Sequence, residues 1–313
     1  MLTVLLVVGA ALAYRLVAGR VVLHEQCEAA AGGHAARVTV EQAANAATIA
    51  AVAARRGLPA RAATIAIATA MQESKLRNVT YGDRDSLGLF QQRPSQGWGT
   101  AAEVLDPVHA AGAFYDALVK IDGYKTMDIN DAAQRVQRSG HPEGYAKHES
   151  RARALASTLM GYSPAGFTCA IRQGTYEAEA QGPRGLTPRA AAALAAVEDA
   201  FGAQSTGGYA PGGVSTGHMA GSAHYEGRAV DIFYRPVTEE KRRAGWATAH
   251  WLVAHADDLG VETVIYDGRW WTASRSTAGW REYTPPGGPT SDATLMHRDH
   301  VHLDVAHGRA VTS

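Results

Sequence analysis

The stretch Met71–Trp98, MQESKLRNVTYGDRDSLGLFQQRPSQGW, decides how the first half of the chain is read. Upstream, Ala60 to Ala70 (ARAATIAIATA) is built from strong helix formers, with Ile65, Ile67 and Met71 supplying apolar surface. Continued helix places Glu73 in the last turn, and the helix is expected to stop near Ser74–Asn78. A carboxylate there faces the negative end of the helix macrodipole among apolar neighbours, and both influences favour the protonated form. A general acid working near neutral pH needs that form. Taken alone, an ordinary exposed helix glutamate is the commoner case. Downstream, Gly82 and Gly88 flank a polar turn carrying Asp83, Asp85 and Ser86, and Leu89-Phe90-Gln91 reads as a short buried segment.

Glu73-Ser74 followed by Ser86-Leu87-Gly88-Leu89-Phe90-Gln91 resembles the signature of lytic transglycosylases and goose-type lysozymes. Tyr145-Ala146 is similar to that family's late Tyr-Ala pair, and the resemblance runs from about Val40 to Tyr162. It implies that Glu73 protonates the glycosidic oxygen between N-acetylmuramic acid and N-acetylglucosamine. It also implies that Ser86, Gln91 and Tyr145 line the sugar cleft.

With 313 residues, the chain is long enough for two ordinary domains. Thirty basic and thirty acidic residues cancel, so no electrostatic footprint for nucleic acid is visible. Cys27 and Cys169 bracket the first resemblance and fit no metal motif. They read either as two buried thiols or, outside the cytoplasm, as one disulfide tying the domain's ends.

In chain order, Leu2 to Ala13 carries no charge and the apolar stretch runs on to Leu23 around Arg15 and Arg20. Residues 1–23 are therefore expected to form a membrane anchor or signal helix, with the membrane as a partner. His24 to Val38 reads as a small-residue tether. Thr39, Asp106-Pro107 and Asn130 or Asp131 are helix starts, and Arg151 to Met160 is a last helix. Residues 24–172 are thus expected to be a mostly α-helical, lysozyme-like domain, followed by a linker over 173–186. Thr187-Pro188 opens a further helix and the α+β domain 187–313. Ala229–Phe233, Thr263–Tyr266 and Val301–Val305 read there as strands around a helix from Trp246 to Leu259.

The second domain holds the second constellation. Gly221 to Phe233, GSAHYEGRAVDIF, has Ser222, His224, Gly227, Ala229 and Asp231 in the pattern S-x-H-x-x-G-x-A-x-D. Near the end, HRDHVHLDV alternates so that His300, His302 and Asp304 share one strand face while Val301, Leu303 and Val305 face the core. Two histidines and one aspartate leave a tetrahedral zinc one open position, as in a catalytic site.

Together the two halves resemble the zinc D,D-carboxypeptidases (VanY-like) and L,D-endopeptidases of peptidoglycan. The resemblance implies His224, Asp231 and His302 as zinc ligands, Asp299 as the acid/base and His300 as an oxyanion or substrate contact. The family usually carries an Arg shortly before the S-x-H; Gly213 to His218 holds none, and His218 or Arg228 are the candidates to replace it. The expected function is a cell-wall hydrolase acting on peptidoglycan glycan strands and stem peptides. The competing expectation is a wall-binding scaffold whose second domain does not cut.

Overall fold

Capping decides where the helices of the first half begin and end. In the computed structural model, which describes residues 25–140 and 143–308, Thr39 and Gln42 form a reciprocal box at the start of α1 (Val40–Arg55). Helix α2 (Ala60–Ser74) stops where Lys75 and Leu76 turn left-handed, at φ 57° and 59°. A short α3 (Ala101–Val104) leads to α4 (Pro107–Leu118), whose first amides donate to the Asp106 carboxylate. Helices α5 (Ile129–Gln137) and α6 (Glu149–Leu159) follow. Every residue of α2 from Ala62 to Met71 is buried, so this helix is apolar all round and central. Its alanines let α1 and α6 approach closely.

The expectation of a mostly α-helical first domain is corrected by a three-stranded antiparallel sheet, ordered β2-β1-β3. Strand β1 (Gln26–Ala31) pairs with β2 (His34–Val38) across Gly32-Gly33, a two-residue turn with φ 54° and 79°. What reads as a tether is therefore a hairpin. Strand β3 (Phe167–Ala170) pairs with the other edge of β1. Cys27, Ala29, Ala36 and Val38 alternate into the core, but alanine is a poor strand former and hides that period. Cys27 and Cys169 face each other in register and form a disulfide across a sequence separation of 142. Closing a loop of that length stabilises the fold by about 4–5 kcal/mol on the chain-entropy account. The anchor expected over residues 1–23 lies outside the described residues. Among the described residues, no helix is long and apolar enough to cross a membrane. The fold class is thus mixed α/β with two antiparallel sheets.

The second half opens with α7 (Pro188–Phe201), capped by Thr187. Its strands are β4 (Thr206–Gly207), β5 (Ala229–Phe233), β6 (Val261–Tyr266), β7 (Arg269–Thr272), β8 (Arg281–Glu282) and β9 (His300–Val305). They form one antiparallel sheet in the order β4-β5-β9-β6-β7-β8. Between β5 and β6 run α8 (Glu239–Ala254), which starts before the expected Trp246, and α9 (Ala256–Leu259). Helix α8 lies between β6 and the pair α1 and α6, so one buried core runs through both halves.

His250 shows how closely the halves meet. It is fully buried on α8, its Nδ1 donates to the Thr158 carbonyl of α6 at 2.7 Å, and its Nε2 has no partner. Burial lowers its pKa from 6.5 to about 4, the bond to Thr158 opposing only in part. Because the unfolded chain protonates first, stability is complete above about 6.5 and is lost as pH falls toward 4. The loss amounts to about 3 kcal/mol. In urea unfolding at several pH values, His250→Phe is expected to flatten the decline between pH 6.5 and 4 by about that amount. Equal declines in both proteins would refute the assignment.

Candidate functional site

The first centre forms where α2 ends. Glu73 is half-buried in the last turn, and the buried Tyr145 donates its hydroxyl to Glu73 Oε1 at 2.7 Å. Burial is the main reason the Tyr145 phenol is held above its ordinary range, and Glu73 adds to it, so Tyr145 stays a donor. Asn130 of α5 fixes the Tyr-Ala pair by accepting from both backbone amides, Tyr145 and Ala146, at 3.2 Å.

Ser74 explains the Glu-Ser pairing. Its hydroxyl lies 2.8 Å from the Leu89 carbonyl and 3.1 Å from that of Ala70, so it ties the downstream loop to the helix end. Ser86 is buried in that loop. Gln91 takes a left-handed backbone (φ 49°), and its Nε2 donates to the Tyr81 and Gly88 carbonyls at 3.3 Å. Asp85 is committed locally. Its carboxylate accepts from Ser95 and Arg93, which hold it well below the usual carboxylate range. Asp83 is exposed.

The second centre forms on the facing strands β5 and β9, where Asp231 stands directly opposite His302. His224 comes from the short turn Ala223–Glu226 that precedes β5. Its Nδ1 donates to the Gly208 carbonyl at 2.8 Å, which aims Nε2 at the aspartate. Gly208 must be glycine, because a Cβ there would lie 2.2 Å from the His224 ring.

His218, His224 and Asp231 place donor atoms within 4.8 Å of one another, a possible metal-binding triad. A tighter set replaces His218 by His302. His302 Nδ1 lies 3.2 Å from Asp231 Oδ1 and 3.2 Å from His224 Nε2, and His224 Nε2 lies 3.3 Å from Asp231 Oδ1. A tetrahedral ion with bonds of about 2.0 Å has donor edges of about 3.3 Å. The His302 set has edges of that length, and its two rings stand 5.0 Å apart at 65°. His218 instead stacks flat on His224, with ring centroids 3.8 Å apart. Burial alone would push Asp231 up, but hydrogen bonds from His224 and His302 outweigh it and keep the carboxylate ionised. His302 moves the opposite way, because Asp231 and Asp304 outweigh its burial.

Asp299 reaches this triangle through His300. Its Oδ1 accepts from His300 Nδ1 at 2.7 Å, and His300 Nε2 lies 3.7 Å from Asp231 Oδ1. Its Oδ2 accepts from Arg235 Nε at 2.7 Å and from the Thr294 hydroxyl at 3.0 Å. Arg228 is turned elsewhere, to the Val305 carbonyl and the Glu226 carboxylate. The cation beside this centre is Arg235, which the sequence reading overlooked although it follows β5 by two residues. Gly208 was overlooked too, and Asn130 and Asp304 were read only as a helix start and a strand-face residue. Asp304 stands 3.6 Å behind His302 Nε2, on the strand face that the alternating HVHLDV run gives it.

Residues 182–294 match the family described as the VldE C-terminal domain, so the chain is similar to that domain over roughly a third of its length. The match includes His218, His224, Asp231 and Arg235 and ends before Asp299 and β9. No curated protein matches the chain.

Proposed function

We propose that the chain is a peptidoglycan-cutting enzyme that works outside the cytoplasm. In this reading Glu73 cuts the glycan strand, and a zinc centre at His224, Asp231 and His302 acts on stem peptides. The observation that carries it is the 2.7 Å bond from Tyr145 to Glu73, which joins two candidate cleft residues 72 positions apart. Tyr145 occupies Oε1, leaving Oε2 to hold a proton and give it to the glycosidic oxygen. Gln91 and Ser86 border the same loop. The disulfide supports an oxidising location.

The donor triangle fits zinc, which when bound there polarises a carbonyl and activates a water. On the chain's own side, Asp231 stays ionised as a ligand, and Gly208 and Asp304 orient the two histidines. Asp299 accepts from His300 and so sets which nitrogen of that ring faces the triangle. His300 and Arg235 border the centre as hydrogen-bond donors for a peptide carbonyl or carboxylate.

A second reading is a wall-binding second half that holds zinc without cutting. The engagement of both Asp299 oxygens by His300, Arg235 and Thr294 favours it, because that carboxylate has no oxygen free of a partner. Mass spectrometry of muropeptides released from purified sacculi separates the readings. New sugar ends together with new peptide ends are expected; sugar ends alone favour the second reading. Release of no new sugar ends and no new peptide ends would defeat the proposal.

A further inference from the structure

Tyr81 is the most exposed large apolar side chain among the described residues, at 72%. It stands on the loop joining α2 to α3, and that loop is stiff. Gly88 donates to the Val79 carbonyl at 2.8 Å, Leu87 and Gln92 exchange backbone bonds at 2.9 and 3.0 Å, and Asp85 binds Arg93 and Ser95. The Tyr81 carbonyl accepts from Gln91 Nε2. At the next residue, a Cβ on Gly82 would fall 2.1 Å from Gln91 Oε1 and 2.5 Å from the Ser86 carbonyl. The chain therefore crosses Gln91 without spare room, while the Tyr81 ring remains in solvent. Ser74, next to Glu73, pins the middle of the same loop through Leu89.

The Tyr81 side chain is thus left mostly in solvent by a loop with many internal hydrogen bonds. Its face is apolar, its ordering cost is small because only two side-chain torsions are free, and it stands on the loop that Ser74 ties to the end of the Glu73 helix. A pyranose ring presents a flat face of C–H groups that matches such a surface. We propose that Tyr81 is a stacking platform for one sugar ring of the bound strand, a subsite flanking Glu73. This rests on the reading of Glu73 as the glycan-cutting acid. The neighbouring Asp83 and Arg84 are exposed with opposite charges, which suits a neutral sugar better than a charged ligand.

The test uses the full chain carrying Glu73→Gln, so that a tetramer of N-acetylglucosamine is bound and not cut, with affinity read by calorimetry. Adding Tyr81→Ala is expected to weaken binding about tenfold, whereas Tyr81→Phe and Tyr81→Trp stay within about twofold. Thermal midpoints are expected to stay level, because the ring is exposed. Equal binding by the Ala variant overturns the platform alone. An equal loss in the Phe variant also overturns it, since the hydroxyl and not the ring face would then be the contact. A Glu73→Gln parent that binds no saccharide overturns the glycan reading and the platform with it.

Discussion

Glycan strands treated with the Glu73→Gln variant are expected to be cut about 10²- to 10⁴-fold more slowly than with the wild type. The substitution removes the transferable proton and almost no volume. Gln retains a carbonyl oxygen that can accept from Tyr145, so the 2.7 Å contact has a replacement and the end of α2 keeps its shape. Ser74 still ties the helix to Leu89. Muropeptide release from sacculi gives the rate, and the thermal midpoint checks the fold. Release at the wild-type rate with an unchanged midpoint would remove Glu73 as the acid. Tyr145→Phe should lose less, because it deletes a donor to the acid and leaves the acid in place.

Zinc uptake is the second large effect. The full chain is expected to bind about one ion, and His302→Ala to bind more than about 10²-fold more weakly, since two protein ligands remain where three are needed. Asp299→Ala should keep the metal, because Asp299 touches the donor triangle only through His300. Competition with a coloured chelator reads both affinities without any substrate. If the wild type takes up no zinc, or His302→Ala binds it equally well, the triangle is a hydrogen-bonded histidine cluster and not a metal centre.

Capping and alternation were the legible parts of the fold. Thr39, Asp106-Pro107 and Thr187-Pro188 each open a helix, because a side-chain oxygen before an apolar run has one economical use. The run Ala229–Phe233 is a strand with the bounds its alternation suggests. The first sheet was hidden, since alanine-rich β1 and β2 resemble a tether unless Gly32-Gly33 is read as a hairpin turn. Strand register brought Asp231 opposite His302, and their shared faces could be read from period two. Arg235 could not be placed that way. Its bond to Asp299 depends on how β5 leaves the sheet, and short-range pattern does not encode that exit.

The position of α8 has a practical consequence for anyone who wishes to divide this molecule. Trp246 and Trp251 are almost completely covered, and Trp280 reaches across to donate to the Phe167 carbonyl at 2.7 Å. Excising residues 187–313 would lay bare the faces of α8 that meet α1 and α6, a greasy scar on a fragment meant to be soluble. A protease nick within 174–185 would leave both pieces clasped. The centres at Glu73 and at β5–β9 are thus mounted on one frame, at a spacing the chain cannot adjust by flexing that connection.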